Sequence, residues 1–331
     1  MTLILRKCKK DGSSRNGFKY GKIGDRVVCP DWDPKSECGN GLHGLKEGNG
    51  NWSLLEGDDW LIIDADDLVV DIDEYKCKFN TGAILFRGTK KQLAKSEFPK
   101  KLKLNEESAY EWAIEIGNDD VMIKKIKSEK TAYEWAHYIG NEDAMIKKIK
   151  SEDYAYYWAR DIGNKNVMIK KIKSEECAYN WAKDIGNKNL MSKKIKSEHY
   201  AYDWVLEIGT NKNLMAKKIK SEEYAFNWAR NIGNKNLMIN KIKSEEYAYY
   251  WAIHIGNYDI MINKIKSEEY AYNWATNIGN QDLMINKINS SEYAYYWAKD
   301  VGNQDVMKPK VKKLNWIEVW NESFPDNRIE R

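Results

Sequence analysis

The stretch SEDYAYYWARDIGNKNVMIKKIK, Ser151–Lys173, decides how this chain is read. Ser151 can cap a helix, because its hydroxyl accepts from the unpaired first-turn amides. Glu152 and Asp153 follow at the positive end of the helix dipole. Ala155, Trp158, Ala159 and Ile162 recur at i, i+3, i+4 and i+7, one apolar stripe of 3.6-residue period. Gly163 supplies the positive φ that stops a helix. A second helix is expected to start with Asn166 as its N-cap. Val167, Met168 and Ile172 would form its apolar face, and Lys170, Lys171 and Lys173 would close its negative end.

Working outward, the same pattern recurs. Trp stands at 112, 135, 158, 181, 204, 228, 251, 274 and 297, at intervals of 23 except one of 24, where Thr210 is inserted. The Asn166 position holds only Asp or Asn, from Asp120 to Asp305. Helices this short are marginal alone in water and persist only by burying their stripes against neighbours. The expected fold is therefore mainly α: an α-solenoid of nine 23-residue helical hairpins over residues 105–307. Pro309 breaks the pattern, and residues 308–331 are expected to form a capping helix (Val311–Phe324) and a frayed tail.

Residues 1–100 lack this period. The runs TLILRKC, RVVC, WLIIDADDLVVDI, KCKF and AILFRG predict a small mainly-β or α+β N-terminal domain. The acid-rich Asp58–Glu74 reads as a solvated strand edge, and Gln92–Leu104 as a linker.

The 331 residues carry 54 basic and 50 acidic side chains. That near-balance excludes a strong global attraction to nucleic acid or membrane. No run approaches the ~18 apolar residues of a membrane span, and the N-terminal apolar run is too short for a signal-peptide core. Five cysteines, an odd number, suit free thiols in a reducing compartment. A cytoplasmic protein is expected.

The densest chemistry is CPDWDPKSECGNGLHG, Cys29–Gly44. Its Pro30–Pro34 and Cys38–Gly44 segments resemble a family of bacterial and phage proteins, which carries a PDWDP…CGxGLHG signature in a domain of roughly 100 residues before repetitive sequence. The copies also resemble the AYxWAxxIG arrays of phage-type proteins. The resemblance implies the two-part architecture and a phage-related origin, and carries no assigned activity.

Cys29, Cys38 and His43 are ligand types that could hold zinc. Their spacing lacks a paired C-x2-C knuckle, so incidental thiols, or a catalytic Cys38/His43 pair, are the competing readings. No cofactor other than zinc is implied. Lys147, Lys170 and Lys193 belong to a lysine ridge that could track phosphates, although lysines also suit a helix C-terminus. The column before each Trp varies freely, and its Tyr157, Tyr250 and Tyr296 are candidate contact anchors. The leading expectation is a non-enzymatic protein whose solenoid surface binds a protein partner, in a sharper form a phage-type inhibitor of a host defence protein. Nucleic-acid binding through the ridge and an enzyme centred on Cys38/His43 are the alternatives.

Overall fold

Alternating and continuous apolar runs in the first 88 residues build seven strands: β1 (Thr2–Cys8), β2 (Arg26–Val28), β3 (Leu42–Lys46), β4 (Asp59–Ala65), β5 (Val69–Asp71), β6 (Cys77–Phe79) and β7 (Thr81–Gly88). In this computed structural model, which describes every residue except Asp67, Tyr75 and Arg331, they form one sheet of order β2-β7-β4-β1-β3-β6-β5. All its pairings are antiparallel. Leu61, Ile62 and Ile63 are fully buried, because β4 lies inside the sheet between β1 and β7. This corrects the reading of Asp58–Glu74 as a solvated edge. Of the two strands in this segment β5 is the one at a sheet edge, and its Asp71 pairs with Lys46 at 3.0 Å.

The strand β3 falls inside the Gly-rich motif, outside the runs expected as strands. Gly44 makes it possible: a Cβ there would lie 2.3 Å from Ile4 Cγ2. The expected linker is also structured. It folds as α1 (Lys90–Lys95) and α2 (Phe98–Lys101), with Leu93, Phe98, Leu102 and Leu104 buried. A capping box between Thr89 and Gln92 starts it.

The chain is mainly α after this point. It divides into two compact units, Met1–Ile172 and Lys173–Arg331. The first unit holds the sheet and three Trp-bearing helices, Glu106–Glu115, Glu129–Tyr138 and Glu152–Asp161. The second unit holds six more that carry the recurring Trp: Glu175–Asp184, Glu198–Asp203 continued by a π turn over Trp204–Ile208, Glu222–Asn231, Glu245–Ile255, Glu268–Asn277 and Ser291–Asp300. Their Trp residues are all fully buried, as are the Met residues from Met122 to Met307.

The turn after each helix corrects one expectation. Gly163 (φ +129°) and Asn164 (φ +54°) both adopt positive φ. The Gly163 amide donates to the Trp158 carbonyl, and the Asn164 carbonyl accepts from Val167 and Met168. The short helix Lys165–Met168 thus starts from Asn164, and the Asp/Asn column sits within its first turn. Carboxylates there still meet the positive end of the backbone dipoles. A 3-10 turn, Ile169–Lys171, completes the segment.

Pro309 does not break the last copy, because it starts the 3-10 turn Lys308–Lys310, where no amide is required. The closing helix spans Leu314–Ser323. Its buried Trp320 donates to the Asn327 carbonyl at 2.8 Å. The tail is tied down rather than frayed: Asn321 exchanges two hydrogen bonds with the Ile329 backbone.

Candidate interaction surface

The residue after each first-helix N-cap, Asn105 in the first copy and Ser in the others, was expected to serve only the dipole. It does more. The Glu106 carboxylate accepts from the Ser128 amide at 2.8 Å and hydroxyl at 2.6 Å, one copy onward. Glu129 treats Ser151 the same way, completing the pairs of this kind in the first unit. In the second unit Glu175, Glu198, Glu222, Glu245 and Glu268 bind Ser197, Ser221, Ser244, Ser267 and Ser290. Where the series ends, Ser291 stands in place of Glu, and its hydroxyl accepts from the Lys312 and Lys313 amides.

A second set of rungs joins a Tyr to the residue before the Ile–Gly or Val–Gly of the next copy. Tyr133 donates to Asp161 at 2.5 Å and Tyr272 to Asp300, while Asn231 and Asn277 donate to Tyr202 and Tyr249. Burial, then the Asp161 bond, pushes the Tyr133 hydroxyl up to about 12. The one Phe in this column, Phe226, meets His254 ring to ring at 6.0 Å instead.

Around this frame, the expected contact residues separate. Tyr157 and Tyr250 are each 41% exposed. Tyr296 is half-buried, packed on Trp316 at 5.6 Å, and belongs to the closing end of the second unit. Lys147, Lys170 and Lys193 are exposed. Their following lysines, Lys148, Lys171 and Lys194, are only half-exposed; Lys148 donates to the Ile126 carbonyl, as Lys241 of a later copy does to that of Ile219, both at 2.6 Å.

One column was misassigned. Val167 was expected on the buried face, yet it is 48% exposed. The equivalent residues of the second unit, Leu190, Leu214, Leu237, Ile260, Leu283 and Val306, are exposed as well, between 37% and 60%. The signal was present in the sequence. This column stays aliphatic in every copy, as a core column would, and periodicity alone cannot separate a buried aliphatic column from one kept for contact.

In the N-terminal domain, Cys38 and His43 line one cavity of about 460 Å³. Cys29 is buried elsewhere and donates to Asp31. Among the described residues no three His, Cys, Asp or Glu side chains converge in a metal-binding group. Burial first, then the Arg6, Lys76 and Lys78 charges, lower the His43 pKa and keep the ring neutral near pH 7. Comparison with known proteins finds no matching family model, no matching curated protein and no matching solved structure.

Proposed function

We propose that the nine copies act as an α-solenoid, a non-enzymatic array whose surface grips a protein partner. One observation carries this reading. Six successive aliphatic side chains, Leu190 to Val306, stand exposed at one equivalent position in the second unit. Single exposed apolar residues are ordinary, but an exposed apolar series is a feature of surfaces that meet other proteins. Tyr157 and Tyr250 add the amphipathic rings that serve as contact anchors. The phage-type resemblance of the copies motivates the sharper form, an inhibitor of a host defence protein acting in the cytoplasm.

A second reading keeps the lysine ridge. Lys147, Lys170 and Lys193 are exposed and free to meet phosphates, so nucleic acid is the competing partner. A photo-crosslinking residue at Leu237 or Lys170 separates the two. Protein adducts at Leu237 in cells support the first reading. Nuclease-sensitive adducts confined to Lys170 overturn it in favour of the second.

A further inference from the structure

The cavity at Cys38 and His43 has a composition that protein binding by the helical copies does not use. Its lining carries four cations, Arg6, Lys7, Arg15 and Lys76, and a single acid, Glu56. Arg15 pairs with Glu56 at 3.2 Å, and Lys7 stands 3.7 Å from Glu115 outside the lining. Lys76 is in turn held by the Cys38 thiol and the nearby Asp73 charge, so that Arg6 alone among the four cations lacks an acidic partner here while the lining itself stays cationic. Two nitrogens of the lining residues, Arg6 Nε and His43 Nε2, are buried with no hydrogen-bond partner, which ordinarily costs stability. Arg6 is held in place, with Nη1 donating to the His43 carbonyl and the guanidinium over the Tyr20 ring at 4.8 Å. Gly39 and Gly44 open backbone to the cavity, and Leu54 and Leu55 give it an apolar ledge. A volume of about 460 Å³ lies in the range of small-molecule sites.

We propose that this cavity binds a phosphorylated small molecule, with its phosphate among Arg6, Arg15 and Lys76 and its organic part on the Leu54–Leu55 ledge. A phosphate monoester carries about −1.5 to −2 charges near neutral pH, which suits a lining of four cations and one acid. Arginine forks bind phosphate oxygens in pairs, and lysine adds a point charge. Cys38 is the one exposed cysteine of the five, so its thiol reports on occupancy.

The test alkylates Cys38 with iodoacetamide in the full chain at fixed ionic strength, in the presence of inorganic phosphate, adenosine monophosphate, glucose 6-phosphate or citrate. The expected result is saturable protection by the phosphate esters, stronger than by inorganic phosphate or citrate. Replacing Arg15 and Lys76 together, as Arg15→Gln and Lys76→Gln, should weaken that protection at least about tenfold, and Arg15→Lys alone should weaken it less. Lys124→Gln, on the first helical copy, should change nothing, which separates this site from the lysine ridge. Direct calorimetric binding to the unmodified chain serves as a second readout should the double variant not fold. Absence of saturable binding by every phosphate, equal protection in a folded double variant, or protection by citrate as strong as by the esters would each overturn the proposal.

Discussion

Glu222 holds Ser244 of the next copy by two bonds at once, from the serine amide at 2.9 Å and its hydroxyl at 2.6 Å. The same hydroxyl caps its own helix by accepting from the Tyr247 amide. One carboxylate therefore fixes both the cap and the spacing between copies. Removing either partner leaves polar groups unsatisfied, at about 1–3 kcal/mol where they are buried and less here at the surface. Glu222→Ala and Ser244→Ala should each destabilise by about 1 kcal/mol. Their double-mutant cycle should show coupling above about 0.5 kcal/mol. Strict additivity in urea melts would remove the rung from the account.

Acid should loosen the same rungs. In Glu106, Glu129, Glu175, Glu198, Glu222 and Glu245, burial raises the pKa, but the hydrogen bonds received from Ser hydroxyls and from backbone amides outweigh it. The net shift is downward from 4.5 in each. A carboxylate with a depressed folded pKa stabilises the fold above its unfolded pKa, and that stability is lost as pH falls through the folded value. This contribution to the melting temperature should hold from pH 7 to pH 5 and decline below about pH 4.5. Glu222→Gln should flatten that decline. A variant that declines as steeply as the parent chain would assign the acid sensitivity elsewhere.

Trp181 and Asn180 are neighbours in sequence and opposites in environment, the first fully buried and the second half-exposed. Trp181→Ala should cost roughly 3–5 kcal/mol. Asn180→Ala should stay within about 0.5 kcal/mol of the parent. Thermal melts giving equal losses would contradict the assignment of helix faces.

The Phe226–His254 pair replaces the hydroxyl rung seen between Tyr249 and Asn277. Introducing Phe226→Tyr with His254→Asn should rebuild that rung. The double variant should be more stable than the sum of its singles predicts, by roughly 0.5–1.5 kcal/mol, the worth of one hydrogen bond. Coupling near zero would mean the two columns vary independently.

Much of this architecture is legible in the sequence because each copy restates the same constraints. The Trp, Ala and Met columns, the Ser caps and the Gly stops gave helices within a residue or two. What escaped was what lies between copies. Eight copies carry Glu directly after the cap, from Glu106 to Glu268, while the following position wanders to Lys130 and His199. A dipole effect would treat the two positions alike, so the constancy of the first was the mark of a specific partner. The helix start at Asn164 was missed because left-handed Asn after Gly makes a two-residue turn without a side-chain cap. In the N-terminal domain, glycines concealed β3, since Gly44 serves close strand approach there rather than a loop. Pairing of Arg6, Arg15 and Lys76 around one cavity depends on strand order, which spacing along the chain does not encode.

The central claim is that the exposed aliphatic column meets a protein. The most direct measurement compares the parent chain with a variant carrying Leu190→Ser, Leu237→Ser and Leu283→Ser for binding to the partner recovered by crosslinking at Leu237. These side chains are exposed, so circular dichroism and melting temperature should barely change. The account predicts a loss of affinity of at least about a hundredfold, the sum of three apolar contacts of roughly 1 kcal/mol each. Unchanged affinity in a folded variant, with binding abolished instead by Lys147→Gln, Lys170→Gln and Lys193→Gln, would contradict it.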